Sequence, residues 1–144
     1  MASELERFTD AQDRSGTYTQ ALSELRGGRK RGHWIWFVFP QIAGLGSSEM
    51  SRRYAIGSRE EASAYVAHPV LGARLVECAQ ALLALPGTDP VAVMGELDAV
   101  KLRSSMTLFA LADGADPAFV QVLERYFGGV ADKATEQRLG NELG

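Results

Sequence analysis

Trp34-Ile35-Trp36-Phe37-Val38-Phe39 is an unbroken apolar run, and Pro40 closes it. Its aromatic and β-branched residues have the composition of a strand. A buried strand must pair its N–H and C=O groups with a neighbour, and no other segment of the 144-residue chain offers a convincing partner. The run is therefore predicted to be a short buried helix from about 29 to 38, stopped by Pro40. With it the whole fold is predicted to be all-α.

Working outward, both flanks carry helix signals. After Ser15-Gly16-Thr17, the apolar positions Tyr18, Ala21, Leu22 and Leu25 recur at helical spacing until Gly27-Gly28, which predicts a helix over about 17–26. Leu5 and Phe8 are spaced to share a face of an earlier turn or short helix. Downstream, Gly44-Leu45-Gly46-Ser47-Ser48 reads as a loop, and Ser47 or Ser48 can cap a helix running to about Tyr54. Ser58 and Glu61 form a capping box for a helix ending near His68. Leu71, Leu75, Cys78, Leu82 and Leu85 make an apolar seam from Pro69 to Pro86-Gly87. Asp89-Pro90 and Asp116-Pro117 each place a capping carboxylate before a proline and should open a helix.

Between those two signals, Asp98 to Ala112 reads as a longer helix with Leu102, Met106 and Phe109 on one face. From Asp116, Val120, Leu123 and Phe127 suggest another face, closed by Gly128-Gly129, and the tail after Asp132 suits a short polar helix. The expected architecture is one compact domain over residues 1–144, a bundle of about six to eight helices with no substantial sheet.

Composition narrows the functional classes. Hydrophobic residues make up 46% and charged residues 23%, which excludes a disordered or fibrous chain. Cys78 is the one cysteine, so no internal disulfide can form, and two histidines with it cannot build a Cys/His zinc site. No metal or other cofactor is expected. The apolar runs are too short for a membrane helix, and the N-terminus lacks the basic-then-apolar order of a secretory signal, so a cytoplasmic protein is expected. A formal charge of -3 argues against an overall polyanion binder while leaving room for a local basic patch.

Such a patch exists at Arg29-Lys30-Arg31-Gly32-His33-Trp34. Cationic groups beside backbone N–H groups at a helix start can hold phosphate or carboxylate; the bland alternative is a solvated basic turn. Gln41 and the loop containing Gly44, Gly46 and Ser47 follow, and small residues there can expose consecutive N–H groups, although the pattern is neither Walker A nor a Rossmann fingerprint. A second polar cluster, Asp98, Lys101, Ser104, Ser105 and Thr107, interrupts an otherwise apolar helix. Asp98, Lys101 and Ser105 share a helical face. They read either as a cap, a snorkelling lysine and packing serines, or as a phosphate ligand with substrate donors. A Ser–Lys nucleophile pair has the weakest support, and no catalytic residue is assigned. His68 fits a helix junction, and Cys78 fits the core better than a nucleophile's role.

The stretches Arg29 to Gln41, Gly44 to Ser48 and Lys101 to Phe109, with Tyr54, His68-Pro69, Leu71-Gly72, Tyr126-Phe127-Gly128-Gly129 and Asp132, resemble the bacterial "domain of unknown function" family eighteen-ten. Its members are small, mainly helical proteins with no established activity, sometimes mislabelled calpastatin. The resemblance implies an all-α fold and leaves function open. A looser similarity, to NADAR domains, rests on Glu61-Ala62, Leu71-Gly72-Ala73-Arg74 and the block from Met94 through Lys101 to Phe109. It carries over no catalytic residue and favours a ribose phosphate among anionic ligands.

The leading expectation is a protein that binds a small phosphorylated ligand of the ADP-ribose or nucleotide type, with hydrolysis of that ligand as an open extension. Arg29, Lys30, His33 and Lys101 would meet anionic groups, Trp34 or Trp36 would stack a base, and Asp98, Ser104 and Ser105 would orient the ligand. Two alternatives belong to other classes. One is a non-enzymatic interaction module whose motifs only build its core. The other, weakened by the acidic net charge, is a single-strand nucleic-acid binder using Arg26, Arg29, Lys30 and Arg31.

Overall fold

The computed structural model describes residues 2–143; Met1 and Gly144, the ends of the expected domain, lie outside the described residues. The helices are α1 (Ala2–Asp13), α2 (Thr17–Arg26), α3 (Ile35–Val38), α4 (Glu49–Arg53), α5 (Arg59–Ala67), α6 (Leu71–Leu83), α7 (Pro90–Met94), α8 (Glu96–Ala110), α9 (Pro117–Phe127) and α10 (Lys133–Leu143). A 3-10 turn at Arg14–Gly16 joins the first two. Three of these, α3, α4 and α7, are little more than single turns. Among the described residues strand-like pairing is limited to one isolated parallel bridge, Ile42 with Ile56.

The chain is all-α, and α8 is its axle. It packs against α9, α7, α10, α5 and α3, while α6 packs against α9, α2 and α5. One apolar cluster extends from Leu5 in α1 to Leu139 in α10. The caps follow the sequence closely. Ser48, Asp89 and Asp116 each accept a backbone N–H at the start of α4, α7 and α9. Ser58 accepts the Glu61 N–H at 3.1 Å, whereas the Glu61 carboxylate reaches one residue further back than a capping box requires, to the Gly57 N–H at 2.7 Å. His68 uses Nδ1 to accept the N–H groups of Val70 and Leu71, both at 3.1 Å.

Three expectations need correction. The segment Arg29 to His33 is not helical; only Ile35–Val38 is. The reason lies in where its N–H groups go. Lys30 donates to the Val93 carbonyl at 2.7 Å, and Arg31 and Gly32 donate to the Glu24 carboxylate at 2.8 and 2.9 Å, so the backbone is satisfied without a helix ladder. The helix predicted from Asp98 starts two residues earlier, so Asp98 sits in its first turn and Gly95 takes the cap position. On α9 the buried face is Phe119, Val122, Leu123 and Tyr126, while Val120 is exposed. The Tyr126 hydroxyl anchors that face by donating to the Leu82 carbonyl at 2.5 Å.

Candidate functional site

The basic segment and the start of α8, far apart in sequence, meet at one open cleft of about 530 Å³. Lys30, His33 and Trp36 line one side, and Met94 to Asp98 with Lys101 line the other. That volume is in the range of small-molecule sites.

Glu24, on the last turn of α2, shapes the near wall. Its Oε1 accepts Arg31 N–H, Gly32 N–H and the Trp34 Nε1–H at 2.8 Å, and its Oε2 accepts from Gln20 at 2.9 Å. Burial works against the ionised form, but the N–H groups of Gly32 and Arg31, helped by Gln20 and Trp34, outweigh it and hold the carboxyl down at about 2. Glu24 therefore stays charged and winds the segment around itself. Sequence reading missed this residue. A carboxylate in the last turn of a helix runs against the macrodipole, and that anomaly was the available signal.

Across the cleft, Lys30 reaches Asp98 at 2.7 Å and also donates to the Gly32 carbonyl. Its side chain is only 6% exposed and lies 4.9 Å from the Trp34 ring. Lys30 is thus a structural clamp between the segment and α8. Lys101 is different. It is 28% exposed, 3.6 Å from the second oxygen of Asp98, and 5.4 Å from the Trp36 ring. Its ammonium is the cation that faces the cleft with the least of its charge committed. His33 is exposed where it lines the cleft, whereas Arg29 and Arg31 are exposed and do not line it.

The remaining candidates lie elsewhere. Trp34 is 2% exposed, with its N–H taken by Glu24, so it offers no stacking face. Ser104 and Ser105 are in the core: Ser104 donates to the Val100 carbonyl at 3.2 Å, and the Ser105 hydroxyl is buried with no partner. Neither forms a Ser–Lys pair. Gly44 and Gly46 have local duties. Gly44 adopts φ +97° against the Arg138 guanidinium, where a Cβ would sit 2.4 Å from it, and Gly46 leaves room for the Ser51 side chain. Gly44 borders a different opening, with Ala134, Gln137 and Arg138. Ser47 is exposed, and Gln41 lines a small chamber beside the cleft.

Other openings suit an anion less well. One of about 540 Å³ sets Arg74 against both Glu77 and Asp116, whereas the cleft sets two cations, Lys30 and Lys101, against Glu96 and Asp98; Arg74 is also held by Asp13 at 2.8 Å and by Gln12 at 3.1 Å. Burial pushes the Cys78 thiol up to about 12, which removes it as a nucleophile. Among the described residues there is no group of His, Cys, Asp and Glu arranged to hold a metal, and no helix long and apolar enough to cross a membrane.

The sequence matches the family described as "Protein of unknown function (DUF1810)" over residues 2–139. The chain belongs to the DUF1810 family. Its fold is also similar to the crystal structure of the conserved hypothetical protein Rv1873 from Mycobacterium tuberculosis, with 48% identity, a TM-score of 0.91, and coverage of 95% of this chain and 96% of that one. No curated protein matches. DUF1810 membership agrees with the all-α reading and names no ligand.

Proposed function

We propose that this DUF1810 protein binds a small phosphorylated ligand of the nucleotide or ADP-ribose type in the cleft between the basic segment and α8. The observation that carries this reading is the convergence of Lys30, His33, Trp36 and Lys101 on one opening, from two segments that the sequence left separate. Lys101 meets the phosphate, in a charge-assisted contact worth about 1.5 to 3 kcal/mol. The start of α8 adds the positive end of a helix dipole, partly offset by Glu96 and Asp98. Leu97, 80% exposed at the rim, and the Trp36 ring give the ligand's apolar part something to lie against. The similarity to NADAR domains favours ribose phosphate. With its free cysteine in the core, we place the protein in the bacterial cytosol.

Calorimetric titration with ADP and ADP-ribose tests the reading. Saturable binding lost in Lys101→Ala supports it; no heat at millimolar ligand overturns it.

A second reading, an interaction module, draws on the exposed Val91, Leu97 and Val100 of α7 and α8, of which Leu97 lines the same cleft. It gains if Leu97→Asp abolishes capture of a partner while nucleotides give no signal. A nucleic-acid surface fits less well: Trp34 is buried, and Arg26 is paired with Glu77 at 3.6 Å.

A further inference from the structure

A smaller chamber adjoins the cleft, and Trp36 and Lys101 line both spaces. It measures about 10 Å³ and includes Gln41, Ser51 and Tyr54 in its lining. That is room for one oxygen-sized atom.

The polar groups around it are rich in donors and include no carboxylate. An indole N–H and an ammonium can only donate, and the Gln41 amide and the Tyr54 hydroxyl each carry protons to give. Ser51 accepts the proton of Ser48 at 2.9 Å, which leaves its own hydroxyl proton free to donate. Trp36 Nε1 is buried and has no hydrogen-bond partner. Buried donors in folded proteins are nearly always satisfied, and an N–H cannot be satisfied by another donor. Gln41, Ser51 and Tyr54 can accept as well as donate, whereas the Trp36 N–H demands an acceptor, which a phosphoryl oxygen beside the Lys101 ammonium supplies.

We infer that this chamber is an inner subsite that receives one phosphoryl oxygen of the ligand, with the rest of the phosphate held at Lys101 in the mouth of the cleft. The inference rests on the phosphate-ligand reading of the cleft and deepens it. Trp36 then has two roles: its N–H marks the terminal oxygen, and its ring forms part of the wall between the inner and outer spaces.

The chain has two tryptophans, so a nitrogen-15 correlation spectrum contains two indole N–H signals, and Trp34, already bonded to Glu24, serves as the internal reference. The wild-type protein is titrated with inorganic phosphate, with ADP, and with chloride at matched ionic strength. The expected result is a downfield move of the Trp36 signal with phosphate and ADP, and none with chloride. In Trp36→Phe, which keeps an aromatic ring, though a smaller one, and loses the N–H, ADP binding weakens about tenfold, as expected for a lost hydrogen bond to a charged group. ADP binding with an unmoved Trp36 signal, an equal response to chloride, or full affinity in a folded Trp36→Phe overturns the subsite and leaves the cleft reading standing. If phosphate moves the Trp36 signal while ADP and ADP-ribose do not bind, the subsite stands and the nucleotide reading falls. If neither phosphate nor nucleotide acts, both fall.

Discussion

One helix, α8, has two halves with opposite surroundings. From Glu96 to Lys101 it borders the cleft, with Leu97 and Val100 exposed and Asp98 and Lys101 part-buried. From Leu102 to Phe109 almost every side chain is buried, polar or not. Ser104 and Thr107 turn back on the backbone, to the carbonyls of Val100 and Arg103 at 3.2 and 2.8 Å, and so enter the core at little cost. Asp98 instead pairs with Lys30 outside the helix, and Lys101, beside Asp98, lies over the Trp36 ring. Depth, rather than residue type, decides which polar groups are available for ligand chemistry.

The largest effect belongs to the deep half. Phe109 is fully buried, with its ring 5.0 Å from Tyr65 and 6.2 Å from Phe119. Phe109→Ala should cost about 3 to 5 kcal/mol in urea unfolding. A loss under about 1 kcal/mol would mean that this half is not the core of the fold.

Next comes the clamp at the boundary between the halves. Asp98→Ala strands the Lys30 ammonium at 6% exposure and should cost about 3 kcal/mol. Lys30→Met removes the charge together with the need for a partner, and should cost clearly less. Equal losses would show that the pair contributes through packing rather than through the charge left unpaired.

The sequence made the architecture legible because caps and periodicity are local. Ser48, Asp89 and Asp116 announce helix starts, and the Leu71 to Leu82 seam states its own buried face. The aromatic run was half legible. Its lack of a strand partner was visible, but its upstream neighbours were drawn out of a helix by Glu24, a residue on another element. Lys30, His33, Trp36, Asp98 and Lys101 were nominated as ligand contacts and do line one cleft. Nothing in their spacing said that they meet, since convergence is a property of the packed bundle. Ser104 and Ser105 look the same in sequence as their neighbours and differ in which way the helix turns them, and Trp34, ahead of α3, is drawn inward by its bond to Glu24.

Glu24 sharpens the comparison from the other wall. Its folded pKa, about 2, lies below the ordinary value of 4.5, so its contribution to stability is fully present above about 4.5 and is lost as pH falls toward 2. Glu24→Gln should lower stability at neutral pH by about 1.5 kcal/mol, the low end for charged hydrogen bonds at a part-exposed site. It should also flatten the acid limb of a pH series of urea midpoints between 4.5 and 2. An unchanged acid limb would remove Glu24 as the organiser of the basic segment.

The smallest effect on stability is expected where the effect on binding is greatest. Lys101 is part-exposed, its partner Asp98 keeps Lys30 when Lys101 is removed, and the Trp36 ring is 5.4 Å away, so Lys101→Ala should change unfolding by no more than about 1 kcal/mol. Of the two lysines that line the cleft, the same substitution takes away the one that is not clamped, and ADP affinity should fall at least about tenfold in calorimetry. Circular dichroism and urea unfolding on the same sample separate the two readouts. A variant that unfolds as readily as Phe109→Ala would place Lys101 with the structural half of α8. One that is stable and binds ADP like the wild type would leave the cleft half without its anchor.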